Sequence, residues 1–326
     1  MSNFPSKAIR MSLVSIKQGR CNLQHAFNLM IVCTFSLSPF AMITIGSDTS
    51  GKVVATHESD TKFAIGDYVV SRFALPAPVG GLGEYRMVES ELTEHCPASI
   101  PPSIACGLPA SAVAAKKIVN ETVKQGDRVL VIGGSGGVGT SVLQYCRPKA
   151  SHLVAVSTQR DLCLKLGADT VLDYRTTTWW DVEEFKQAPF DVVIDLVNGD
   201  NWTKGGCAGT AVQRKGRYAA LVPGVATEVH VHGVWDLIRL SLAWLGTTLS
   251  SRLNPRVPKW VMADGLDLKE GEIASVLADV VEGRLQPILD PASPFPFTQD
   301  GVRAAMQLQK SGHAHGKVVV VVSEEQ

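Results

Sequence analysis

Gly134, Gly136 and Gly139 follow directly on a hydrophobic run in the segment RVLVIGGSGGVGTSVLQYC, residues 128–146. Glycines so spaced let a backbone turn sharply and bring its amides close to a polyanion. A helix starting at the last glycine would add the positive end of its dipole. Val138, Val142 and Cys146 share one face of such a helix. The next strand begins near Leu153, so strand, glycine turn, helix and strand fit within about 30 residues. In that context G-x-G-x-x-G is a dinucleotide fingerprint rather than a bare turn. Gly134, Ser135, Gly136, Gly137, Val138 and Gly139 are therefore the expected pyrophosphate contacts.

The end of the second strand discriminates between the two nicotinamide dinucleotides. A carboxylate there would accept hydrogen bonds from a ribose 2′-hydroxyl. Residues 155–160 read AVSTQR, with Ser157 and Thr158 at that point and no carboxylate before Asp161. A 2′-phosphate needs donors and positive charge, so NADPH is the expected cofactor. Ser157 is the expected contact, joined by Arg160, which reads equally well as a solvated residue at a helix start.

The elements that must position these residues show in the patterning. Residues 44–90 carry short β-like runs (KVVAT, DYVVSRF, EYRMV) punctuated by Gly66, Gly80, Gly81 and Gly83. Pro101 and Pro102 close that module, and a small-residue helix is expected over 103–123. Strands are expected at 128–133, 152–157, 170–173, 190–196 and 217–222. Helices are expected between them, near 138–147, 159–166, 178–187 and 202–213. This alternation specifies an α/β fold with a doubly wound parallel sheet. A long helical region including 270–283 follows Pro223, and the apolar run 317–322 reads as a buried strand.

Composition excludes other classes. Lysine plus arginine total 31 and so do aspartate plus glutamate, which offers no basic footprint for nucleic acid. The seven cysteines form no C-x-x-C pair and have no histidine at finger-like spacing, so no metal is expected. Met1 to Ser47 lacks Asp and Glu, carries Lys7, Arg10, Lys17 and Arg20, and is rich in serine. That composition fits a cleavable organellar presequence. The apolar stretch Phe27 to Ile45 leaves a buried or irregular segment, and a membrane span, open as well.

Several separated segments together resemble the medium-chain dehydrogenase/reductase superfamily, in particular its zinc-independent quinone oxidoreductases of the mitochondrial reticulon-interacting branch. They are GSDTSGKVV at 46–54, FAIGDYVV at 63–70, GGLGEY at 80–85, GGSGGVG at 133–139, LGADTVLDYR at 166–175, FDVVIDLV at 190–197 and SGHAHGKVVV at 311–320. The resemblance implies a Rossmann NADPH-binding domain over 119–285. It also implies a β-rich GroES-like catalytic domain from 45–118 and 286–326, atypical at its amino end, where 1–44 is left as a targeting segment. Zinc-dependent members carry Gly-His-Glu where Gly46-Ser47-Asp48 stands here, so both residue content and resemblance imply no zinc. Further cofactor contacts implied are Tyr174 beside the 2′-phosphate, Leu196 and Val197 at the nicotinamide ribose, and Trp260 near the nicotinamide. His313, Ala314 and His315 match a His-Ala-Arg closing over the cofactor, with histidine in place of the arginine. Relatives begin with two or more strands that have no recognisable counterpart in 1–44, which would leave a sheet edge bare. The implied activity is hydride transfer from NADPH to a quinone or activated enone, with no catalytic residue assigned. A 2-enoyl thioester reductase and a non-catalytic NADPH-binding scaffold are the alternatives. A homodimer and a mitochondrial or else cytoplasmic location are implied in the same way, while contact with a membrane is left open by the apolar stretch 27–45 alone.

Overall fold

The computed structural model describes residues 7–16, 46–58, 60–73, 80–220, 246, 248–249, 251–262 and 268–323. Five strands come first: β1 (Lys7–Ile16), β2 (Asp48–Val53), β3 (Tyr68–Arg72), β4 (Tyr85–Val88) and β5 (Thr93–His95). Six more follow: β6 (Arg128–Ile132), β7 (His152–Val156), β8 (Thr170–Leu172), β9 (Phe190–Asp195), β10 (Val212–Ala220) and β11 (Lys259–Met262). Near the carboxyl end lie β12 (Phe295–Pro296) and β13 (Val318–Val321). The described residues up to 113 and from 268 onward group into one compact unit, and those from 114 to 262 into a second.

The second unit is a six-stranded parallel sheet in the order β11-β10-β9-β6-β7-β8. Its central strands are continuous apolar runs because helices cover both faces. Val129, Leu130, Val131, Val192, Val193 and Ile194 are all fully buried. One face collects Leu130, Val154, Phe190, Val193, Tyr218 and Trp260 with Trp179 and Trp202. Each such side chain contributes roughly 1.5–3 kcal/mol of hydrophobic stabilisation. Strand order reverses between β6 and β9, and the carboxyl ends at such a switch point are where open α/β sheets bind ligands.

The first unit's sheet runs β12-β13-β1-β2-β3-β5, with β4 also on β1. Its core gathers Val53, Phe63, Val69, Phe73 and Val88. Here the structure corrects the reading of the amino terminus. Lys7–Ile16 is a central strand: it pairs along one side with β2, and along the other with β4 and then β13. Cleavage of a presequence reaching Thr44 would remove this strand from the middle of the sheet. The register shifts between Met11 and Leu13, an irregularity that bends a strand. The apolar stretch 27–45 lies outside the described residues, and among those that are described no helix is long and apolar enough to cross a membrane.

Three further differences concern the second unit. The helix expected at 202–213 is a π-helix over Asn201–Cys207, and β10 has begun by Val212. The helix expected at 178–187 divides into a 3-10 turn, Trp179–Asp181, and a short α-helix, Glu183–Gln187, because Val182 between them is extended. Lys259–Met262, read as part of a helical region, pairs in parallel with β10. The helix Glu272–Val281 groups with the first unit, so the change of unit comes before residue 268.

Candidate nucleotide site

Gly133 turns the chain at the end of β6 with φ of +83°. The amides of Gly133 and Gly134 both donate to the Val156 carbonyl, at 3.0 and 3.3 Å, holding the loop against the end of β7. Space at the third glycine admits no side chain, and at Gly134 it is tight. A β-carbon on Gly139 would lie 2.1 Å from the Gly133 oxygen and 2.8 Å from the Gly134 carbonyl carbon. One on Gly134 would lie 3.0 Å from the Ala155 β-carbon and 3.3 Å from Leu143. The third glycine thus lets the helix Gly139–Cys146 start directly against the loop, and no side chain caps that start at Val138. A backbone cradle closed to β-carbons and aimed along a helix axis fits a pyrophosphate.

Ser157 ends β7 almost fully buried. Its hydroxyl donates to the Ser135 oxygen at 2.7 Å and accepts from the Gln159 amide at 3.0 Å. Its own amide donates to the Leu172 carbonyl at 2.9 Å. Ser157 therefore joins the glycine loop to the ends of β7 and β8, and its proton is already committed to Ser135. Charged donors lie just outside it. Arg160 is exposed, with one guanidinium nitrogen 3.4 Å from the Val171 carbonyl. Tyr174 is 53 % exposed on the same edge. Arg175 next to it was not anticipated, although the LDYR segment contains it. Its guanidinium grips both carboxylate oxygens of Asp173 and holds that carboxyl below its ordinary pKa.

On the other side of β6, Leu196 and Val197 follow β9. The Leu196 amide donates to the Ile132 carbonyl at 3.1 Å. A Val197 methyl lies 2.9 Å from where a Gly133 β-carbon would be, so the turn rests on the first glycine of the loop. Below it Asp195 is 2 % exposed and accepts hydrogen bonds on both carboxylate oxygens, the shortest from the Tyr218 hydroxyl at 2.7 Å. Neither Asp195 nor Tyr218 was singled out from sequence. The signal available was a carboxylate closing the apolar run FDVVID. Trp260 goes elsewhere: opposite Tyr218 in β11, it belongs to the hydrophobic core, two residues short of the sheet's carboxyl end.

The remaining expected residues lie in the first unit. The helix Gln299–Ser311 begins under a Thr298 cap and ends at Gly312 with φ of +73°. His313 follows in the open, Ala314 is buried, and the His315 amide donates to Asp290 at 2.8 Å. Asp48, at the position of the zinc-dependent Gly-His-Glu, is fully buried and faces Lys317, with nitrogen and oxygen 3.8 Å apart. Burial pushes the Lys317 pKa down, against the pull of the Asp48 charge. Among the described residues no group of three or more His, Cys, Asp or Glu is assembled to hold a metal ion.

Comparison with known proteins places this arrangement. A family profile described as zinc-binding dehydrogenase matches residues 166–320. The mitochondrial NAD(P)H oxidoreductase RTN4IP1 of Homo sapiens is 30 % identical over 294 residues, covering 86 % of this chain and 70 % of that protein. The trans-enoyl reductase pgmF of Aspergillus terreus is 30 % identical over 306 residues, covering 86 % and 78 %. The structure of Escherichia coli quinone oxidoreductase complexed with NADPH superposes with a TM-score of 0.72 at 16 % identity, over 99 % of this chain and 94 % of that one.

Proposed function

The chain belongs to the medium-chain dehydrogenase/reductase superfamily, alongside the mitochondrial NAD(P)H oxidoreductases, and from that premise we propose that it reduces a quinone or activated enone with NADPH. The observation that carries the reading is the glycine cradle at the switch point, where a β-carbon on Gly139 would lie 2.1 Å from the Gly133 oxygen. That packing starts the helix directly against the loop with no side-chain cap, which leaves its first amides to an anion such as a pyrophosphate.

NADPH, when bound, supplies a hydride from its nicotinamide C4. The chain's residues bind and orient it. Gly134 to Gly139 would hold the pyrophosphate at the helix start. Arg160 and Tyr174, outside the buried Ser157, would supply positive charge and a donor for the 2′-phosphate, whereas Arg175 is already paired with Asp173. Leu196 and Val197 would line the nicotinamide ribose. Hydride transfer depends on alignment and exclusion of water more than on an acid, so no catalytic acid is assigned. Metal takes no part in this reading, since Asp48 faces a lysine ammonium. The mitochondrial name of the RTN4IP1 relative supports a mitochondrial location.

A 2-enoyl thioester reductase is the second reading, favoured by the identity with a trans-enoyl reductase. Following NADPH oxidation with a quinone, an enone and an enoyl thioester in parallel tests both. Turnover of the quinone or enone supports the first reading and turnover of the thioester alone the second. NADPH binding without turnover of any of them makes the chain a cofactor-binding scaffold.

A further inference from the structure

Asp195 is a fully buried carboxylate to which the chemistry above gives no part. One of its oxygens accepts from the amides of Val197 and Asn198, at 3.0 and 2.9 Å, and from the Asn201 side chain at 3.4 Å. The other accepts the Tyr218 hydroxyl at 2.7 Å. The turn gripped in this way is not relaxed. Asn198 stands in the left-handed region with φ of +71°, a conformation that residues with a β-carbon rarely adopt and asparagine tolerates best. Asn201 also donates to the Asn198 carbonyl at 2.6 Å while accepting from the Trp179 indole at 3.0 Å. Tyr218 is fixed in turn, edge-on to Trp202 with ring centroids 4.9 Å apart. The strongest restraints on the turn thus trace back to the buried Asp195 and Tyr218.

We propose that Asp195 and Tyr218 are a positioning pair that sets the height of the 196–198 turn above the glycine loop, and so places the nicotinamide half of the cofactor without touching it. The inference rests on the NADPH reading of the same site. Its asymmetry separates it from a general structural role. Ser157, Arg160 and Tyr174 hang on β7 and β8, on one side of β6, while the Asp195 grip holds only the turn after β9, on the other side. Burial and the Asp195 charge raise the Tyr218 pKa well above its ordinary value, so the phenol remains a donor across the physiological range.

Tyr218→Phe deletes the hydroxyl and keeps the ring against Trp202. Calorimetry with NADPH and with adenosine 2′,5′-bisphosphate, which lacks the nicotinamide half, reads the two sides of the site separately. NADPH should weaken by at least about fivefold (about 1 kcal/mol) while the bisphosphate changes by less than about twofold. Asp195→Asn retains an oxygen for the two amides and an N–H for the phenol oxygen, and should keep the parent ratio of the two affinities. Hydrogen exchange in the unmodified chain is a second measurement, independent of how the variants fold. The Val197 and Asn198 amides should be protected to the degree of those in β9. Equal weakening of both ligands, weakening of neither, or rapid exchange at those amides overturns the inference. A parent chain that binds the bisphosphate and NADPH equally well also overturns it. Binding of neither ligand overturns the NADPH reading itself, and this inference with it.

Discussion

The Ser157 hydroxyl donates to Ser135 across 2.7 Å, tying the carboxyl end of β7 to the glycine loop inside the protein. On the NADPH reading proposed above, selection against NADH at this point would rest on what is missing, a carboxylate, and on the exposed Arg160 outside. Ser157→Asp would put a negative charge where the 2′-phosphate approaches. NADPH affinity should fall by at least about tenfold, about 1.4 kcal/mol, with NADH affected far less. Calorimetry with both dinucleotides checks this, and tighter binding of NADH than NADPH by the unmodified chain refutes it.

Gly139→Ala and Gly134→Ala should separate cleanly. The first drives a β-carbon into backbone at Gly133 and Gly134, which cannot step aside without moving the loop. The second meets the side chains of Ala155, Leu143 and Cys163, which can shift by a few tenths of an ångström. Gly139→Ala should cost about 1–3 kcal/mol of stability and abolish the rise in melting temperature produced by NADPH. Gly134→Ala should retain most of that rise. Equal ligand-induced shifts in both variants would place the cofactor away from this loop.

Asp169 joins three elements by accepting from Arg147 at 2.8 Å and from the Leu153 amide at 2.8 Å. Desolvation alone would raise its pKa, but these hydrogen bonds and the Arg147 charge outweigh it and leave the value lowered. As pH falls the unfolded chain then takes up the proton first. The stabilisation is complete above the ordinary aspartate range and disappears as pH drops through the folded-state value. Since the side chain is 38 % exposed, screening limits the effect to about 0.2–1 kcal/mol. Denaturant titrations of the parent and Asp169→Asn should differ by that amount near neutrality and converge well below pH 4. A gap that persists there contradicts the assignment.

Purified protein should carry zinc far below one equivalent per chain, and a chelator should leave NADPH oxidation unchanged. The physical reason is the Lys317 ammonium beside Asp48, a cation already in place at the carboxylate. Elemental analysis decides the point: one firmly held zinc per chain would disprove it.

How much of this was legible in sequence depends on what each residue had to signal. β6, β7 and β9 were readable to within a residue or so because strands buried on both faces are apolar nearly throughout. β10 was not, since its first half is VQRKG, polar and with an irregular register between Val212 and Arg217. β11 is four residues at the end of the described sheet, too short to show a period. β1 does alternate at Ile9, Met11 and Leu13, but it changes phase at Val14, and its basic, serine-rich composition pointed to a presequence. Glycine positions in the loop were legible because spacing alone specifies a close backbone approach. The buried grip of Asp195 on Val197 and Asn198 depends on Tyr218 arriving from another strand, a juxtaposition that no local pattern encodes.

Leu13 pairs with Val321, and this bears on the order in which the molecule can be made. The first unit's sheet cannot close until its last strand has left the ribosome, whereas β6 to β11 come from one uninterrupted stretch. At about 5–20 residues per second, the parallel sheet and its glycine loop can be assembled while β1 to β5 still wait for β12 and β13. Pairing over such sequence separation is slow, and bare strand edges invite pairing with other chains. During synthesis the first unit is therefore the one exposed to mispairing, while the nucleotide half can already be finished.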